Sequence, residues 1–177
     1  MLSMTNRKTQ IRQIASAGIL TALVFIATFV IKIPIPATEG YVNLGDAVIL
    51  ISSFILGPFA AIPAAIGSAL CDLISGYGQY VIPTFVIKGA MGLVAGLFFR
   101  AARDGKVSFP RRLSAFVLAE LIMAGGYFLF ESMPFMYGMS VAVLSVPFNL
   151  LQGLAGIILA LPVSYVRILS SERFKNK

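Results

Sequence analysis

The placing of charge most limits what this chain can fold into. Of its 14 Lys and Arg residues, 12 fall in three clusters: Arg7, Lys8 and Arg12; Arg100, Arg103, Lys106, Arg111 and Arg112; and Arg167, Arg173, Lys175 and Lys177. Between the clusters run long apolar stretches with few charges. Only 12% of the 177 residues are Asp, Glu, Lys or Arg, while 58% are hydrophobic. A soluble domain carries about twice that share of charge. Too little polar surface remains here to cover a water-facing protein, and a soluble domain with one oversized core fails on the same ground. With a mean hydropathy of +0.91, the chain reads as a single lipid-solvated helical bundle.

The net charge of +7 does not point to nucleic acid, because no basic patch is interleaved with aromatic residues. Clustering of cations beside apolar stretches is instead the mark of cytoplasmic loops. With one cysteine, Cys71, and no histidine, the chain has no intrachain disulfide, no zinc set and no Ser–His pair. The basic start and apolar stretch that follows resemble a signal peptide. The stretch runs about 20 residues without a small-residue cleavage site, so it is read as a membrane helix that stays.

Six transmembrane helices are predicted, over about 11–31, 46–56, 58–75, 83–100, 112–132 and 141–169. Lys32, Pro34 and Pro36 end the first. Asp46 stands where its carboxylate can cap the second. Asp46 to Ser75 is a nearly uncharged run of 30 residues, too long for one span and short for two of about 20. Gly57-Pro58 divides it, although a single kinked helix would also fit the run. The charge clusters favour division. If all three are cytoplasmic, four helices must separate the first two clusters and two the last pair, which places both termini inside. The outer loops, 32–45, 76–82 and 133–140, then carry Glu39, Tyr41, Asn43, Tyr77, Gln79, Tyr80 and Tyr137.

Polar side chains within a bilayer face the bundle or a cavity. Glu120, Tyr127 and Glu131 share a face of the fifth helix, and Ser145, Asn149 and Gln152 a face of the sixth. Both rows climb toward the outer end. With Tyr41, Asn43 and Tyr80 from the loops and Lys88 from helix four, they form a candidate site for a small ring compound. The plainer reading of Asn149 and Gln152 is that they hold helices together. Asp72 and Lys88, near the outer ends of helices three and four, read first as a structural ion pair and second as ligand contacts. Small residues mark three further faces: Ala17, Gly18, Thr21 and Ala22; Ala61, Ala65 and Ser68; and Gly92 and Gly96. Such faces admit another helix closely. Those on helices three and four suit packing within the chain, and Gly18 with Ala22 suits a partner protein. No phosphate-cradling Gly-Lys loop is present, so energy for any transport comes from elsewhere.

Taken in order, several stretches make the chain resemble one family. They are Tyr41-Val-Asn-Leu-Gly-Asp46; Leu56-Gly-Pro58; Gly67-Ser-Ala-Leu-Cys-Asp72 with Gly76-Tyr77; Pro83-Thr-Phe-Val-Ile-Lys-Gly89 with Gly92; and Phe148-Asn-Leu-Leu-Gln-Gly153. They resemble the substrate-binding (S) components of energy-coupling factor transporters, in the branch of riboflavin, hydroxymethylpyrimidine and pyridoxine S components. The resemblance covers nearly the whole chain. It implies six helices in a prokaryotic plasma membrane and an outward pocket for a vitamin. It also implies a membrane coupling subunit and two cytoplasmic ATPases as partners, with ATP used by those partners and no cofactor on this chain. In the family a small-xxx-small motif on helix one contacts the coupling subunit. It maps onto Gly18 and Ala22, with Gly18 standing where the family usually has Ala. Toppling in the membrane is the family's implied route of release.

Two other readings stay open at this stage. One is an intramembrane enzyme or structural subunit, although no nucleophile–base pair or metal set is evident. The other is a carrier that works alone. Among vitamins, the weakly acidic, amide- and Tyr-lined site favours a pyrimidine or pyridine, with a flavin possible and strong anions disfavoured.

Overall fold

The computed structural model describes residues 4–36, 38–100 and 107–166; Arg103, Lys106 and the basic cluster from Arg167 onward lie outside them. The described chain is helical apart from its connections. The elements are α1 (Met4–Val30), a two-residue strand β1 (Ile33–Pro34), β2 (Tyr41–Val42), α2 (Gly45–Leu56), α3 (Ala61–Ile74), α4 (Val81–Arg100), α5 (Phe109–Glu131) and α6 (Met139–Val163). Among the described residues, five helical stretches are long and apolar enough to cross a membrane, namely Arg7–Val30, Gly45–Ile74, Gly78–Arg100, Phe109–Glu131 and Met139–Val163.

The second of these stretches is broken. Gly57 adopts φ +60°, which a residue with a side chain reaches only at a cost, and Pro58 has no N–H to continue the ladder. Residues Gly57–Ala60 therefore form a 3-10 turn, and α3 starts at Ala61. The contacts of α4 show how the two halves lie. A side chain on Gly96 would strike the Gly57–Pro58 backbone, one on Gly92 would meet Ala60 and Ala61, and one on Gly89 would meet Ala65. Further toward the start of α4, Lys88 reaches Asp46 in the first turn of α2. Thus α2 runs alongside α4 in the same sense and α3 in the opposite sense. The two form a helical hairpin, with Asp46 and Asp72 at the same end. Glycines on α4 let α3 approach within backbone contact, so the Gly92/Gly96 face serves packing inside the chain.

Two further boundaries differ from the sequence reading. α1 begins at Met4 rather than near Ile11, because Met4 to Gln10 holds no Gly or Pro to stop a helix. α6 closes at Val163, short of residue 169. There the buried Arg112 guanidinium donates to the carbonyls of Val107 and Ser164 and lies between the rings of Phe54 and Tyr165.

The core fills the half of the bundle nearer Arg112. Phe99 meets Phe54 edge-on at 5.3 Å and Phe116 at 5.7 Å, with Leu50, Met91 and Met123 buried around them. Outward-facing positions are apolar too: Ile19, Ile82, Leu129 and Leu151 are each more than half exposed. A surface of that kind suits lipid rather than water. The other half of the bundle, toward the connections 31–44, 75–80 and 132–138, is where the polar side chains gather.

Candidate functional site

That polar half encloses a tight cavity of about 30 Å3. That is room for about one or two water molecules, so a ring compound fits only when the roof and walls part. Its roof is the first connection, tightened by β1–β2, where Ile33 pairs with Val42 and Pro34 with Tyr41. Gly40, Tyr41 and Asn43 of this segment face the cavity. Two contacts tie the roof to the neighbouring connections. Gln79 Nε2 donates to Glu39 Oε2 at 2.5 Å, and the Glu39 N–H donates to Tyr137 Oη at 3.3 Å.

The Tyr41 hydroxyl donates to Asp72 Oδ1 at 2.5 Å, and its ring lies 4.7 Å from that of Tyr77. Burial, followed by the Asp72 carboxylate, pushes the Tyr41 phenol well above its usual range, so it remains a donor. Lys32 closes the rim, with Nζ donating to Ser75 Oγ and lying over the rings of Phe29 and Tyr41.

Deeper in, Lys88 pairs with Asp46. Gln152 Nε2 donates to the other Asp46 oxygen at 2.6 Å, and Gln152 Oε1 accepts the Asn43 N–H at 2.7 Å. This corrects two expectations. The ion pair of Lys88 is with Asp46, not Asp72, because the hairpin brings both aspartates to one level and Tyr41 engages Asp72. Nor does Asp46 cap α2: Leu44, two residues earlier, holds that position, and the Asn43 side chain accepts the Gly45 N–H instead.

On the far wall, Glu131 accepts from Tyr80 Oη at 3.0 Å and from Ser145. Tyr127 shares a 2.9 Å hydrogen bond with Thr84, and its ring faces Lys88. Of the residues singled out by sequence, Tyr41, Asn43, Asp72, Tyr80, Lys88, Tyr127, Glu131, Asn149 and Gln152 all line this cavity. Glu120 does not. It lies below the floor, in a groove that Gly153 and Gly156 leave open beside Asp46, and neither of its carboxylate oxygens has a partner. Ser68 and Thr84 also line the wall, beyond the ligand contacts expected from sequence. Ser68 stood in the small-residue row of helix three and Thr84 in the Pro83–Gly89 stretch, so each carried a signal read for another purpose.

The small residues of α1 divide between two sides. Ala17 and Leu20 pack against Leu56 and Ala60, while Gly18 and Ala22 are exposed. A side chain on Gly18 would meet nothing within 4 Å.

The family model described as the ECF-type riboflavin transporter S component matches residues 8–167. The chain belongs to this S-component family. It is accordingly a multi-pass membrane protein of prokaryotic transport, not an enzyme. Among its relatives, the S component is 30% identical over 152 residues to the thiamine precursor transporter HmpT of Lactococcus lactis, covering 85% of this chain and 84% of that one. It is 33% identical over 144 residues to an uncharacterised protein of Pyrococcus woesei, covering 81% of this chain and 93% of that one.

Proposed function

We propose that this S component binds a neutral, single-ring vitamin or vitamin precursor of the hydroxymethylpyrimidine or pyridoxine type, and that ATP hydrolysed on partner subunits drives its uptake. The observation that carries the reading is the roofed cavity itself, walled by the rings of Tyr80 and Tyr127 and by amides. Aromatic walls suit a flat ring. Asp72 and Glu131 give the wall an acidic character that disfavours phosphorylated ligands. The likeness to a thiamine precursor transporter points the same way. Tyr41, Asn43, Tyr80, Lys88, Tyr127, Glu131, Asn149 and Gln152 are the proposed contacts. Glu120 supports them from below rather than touching ligand.

In this reading the chain makes six spans, with the cavity facing outward and both termini in the cytoplasm. The hairpin of α2 and α3 supports the count, and the clusters around Arg7, Arg112 and Arg167 support the orientation. The exposed Gly18 and Ala22 of α1 face a membrane coupling subunit, which two cytoplasmic ATPases energise. No cofactor is held on this chain.

Calorimetric titration of the purified chain with hydroxymethylpyrimidine, pyridoxine and riboflavin tests the substrate. Tight binding of a single-ring compound supports the reading. Riboflavin is the second reading, because the matching family model names it, and tight binding of riboflavin alone would replace the first. Uptake in cells with and without the coupling subunit and ATPases tests the partners. Full uptake by the chain alone would overturn ATP-driven transport.

A further inference from the structure

Most polar groups on the cavity wall are already engaged with one another. Tyr41 is held by Asp72, Tyr80 and Ser145 by Glu131, Thr84 by Tyr127, Lys88 by Asp46, and Gln152 by Asp46 and Asn43. Two fully buried wall atoms stand apart. Ser68 Oγ, on α3, and Asn149 Nδ2, on α6, are buried with no hydrogen-bond partner, in residues that are 2% and 5% exposed.

The case of Ser68 is specific. A buried helical hydroxyl ordinarily donates to a carbonyl one turn back. Thr28, Ser52, Ser53 and Ser145 all do so here. Ser68, also inside a helix, makes no such bond. Its place is also rigid, because its neighbour Gly67 is pressed against the α1 backbone at Thr21 and against Val24. A polar atom buried without a partner costs about 1–3 kcal/mol, so a group left so in a native structure calls for a functional or structural reason.

Resting on the reading of this cavity as the substrate site, we infer that Ser68 and Asn149 are the pair that reads the ligand's polar groups. The ligand is then a neutral heteroaromatic ring. It offers a hydrogen-bond acceptor, such as a ring nitrogen or ring carbonyl, to Asn149 Nδ2. It offers a hydroxyl or amino group to Ser68. α3 packs on α1 and α4, and α6 on α5 and α2, so the two groups stand on separate walls and require their partners at separate edges of the ring. The engaged carboxylates and phenols shape the cavity and set its potential without having to break their own bonds.

The test uses the full chain in detergent and the tightest binder among hydroxymethylpyrimidine, pyridoxine and riboflavin. Ser68→Ala and Asn149→Leu are each titrated with that compound and melted without it. The expected result is binding weaker by about tenfold or more in each variant, with ligand-free melting unchanged or raised, since each change removes an unpaired buried polar group. Binding at wild-type strength in Ser68→Ala, while the wild type binds, overturns the role of Ser68 and leaves the substrate site standing. Lowered ligand-free melting with binding retained overturns it in favour of a structural role. A wild-type chain that binds none of the three compounds removes the substrate reading, and this inference falls with it.

Discussion

Replacing Lys88 by Met tests the most consequential contact in the polar half of the bundle. The ammonium of Lys88 and the carboxylate of Asp46 are both buried, and among the described residues Gln152 supplies the other side-chain contact of Asp46. Removing one partner of a buried pair strands the other charge, at a cost of about 3–5 kcal/mol. For a chain of this length each kcal/mol moves the midpoint by roughly 2–4 °C, so Lys88→Met should melt about 6–20 °C lower. Adding Asp46→Asn to Lys88→Met removes the stranded charge while keeping a hydrogen-bonding side chain for Gln152, and should restore most of the loss. Thermal unfolding of the ligand-free protein in detergent, run as two double-mutant cycles, decides the matter. One cycle pairs Lys88→Met with Asp46→Asn and the other pairs it with Asp72→Asn. Coupling should be strong in the first and weak in the second. Stronger coupling to Asp72 would refute the assignment and restore the pairing that sequence alone suggested.

Gly18→Leu or Ala22→Leu should abolish uptake in cells with the full transporter while leaving ligand titration of the isolated chain unchanged, because both residues lie on the exposed side of α1; lost binding in a folded variant would count against a docking role. Gly96→Val should cost more than about 3 kcal/mol, since its side chain would enter the Gly57–Pro58 backbone and neither helix can yield. Gly125→Ala, where a Cβ meets nothing within 4 Å, should be neutral or gain about 0.5–1 kcal/mol; equal melting of the two variants would refute the close contact of α4 with the α2–α3 turn. Tyr41 has its phenol pKa raised on folding, so its contribution is fully present below about pH 10, the ordinary tyrosine value, and declines as pH rises toward the folded value. Melting curves from pH 8 to 11 should show a smaller alkaline loss for Tyr41→Phe than for wild type, and parallel losses would refute the shift.

The helices and their breaks were legible because their causes are local. Gly57-Pro58 and Lys32 to Pro36 interrupt the backbone ladder wherever they stand, whatever packs around them. The row of polar residues on each helix was legible too, since periodicity reports a shared face. Depth along that face was harder to read. Glu120 shares its stripe with Tyr127 and Glu131 but sits 11 residues before Glu131, about 16 Å along the axis at 1.5 Å per residue. That distance is enough to carry it beneath the floor. The partner of Lys88 was out of reach for a different reason. The hairpin lifts Asp46 and Asp72 to one level, and only the three-dimensional approach of Tyr41 to Asp72 settles which aspartate Lys88 takes. Arg112 was counted with a cytoplasmic cluster by charge alone; its bonds to Val107 and Ser164 depend on where α6 happens to end.

The roof of the cavity is fastened from within. The Asn43 N–H that binds Gln152 and the Asn43 side chain that holds Gly45 join the first connection to the opening turn of α2, where Asp46 holds Lys88. Lifting the roof enough to admit a molecule therefore loosens the bonds that brace the floor. Under the proposed reading of this cavity as the substrate site, capture is a gated event rather than a simple collision, its rate set by how often the roof opens instead of by diffusion. The same gate delays departure. In that reading the receptor's strength lies in residence time rather than in speed of encounter.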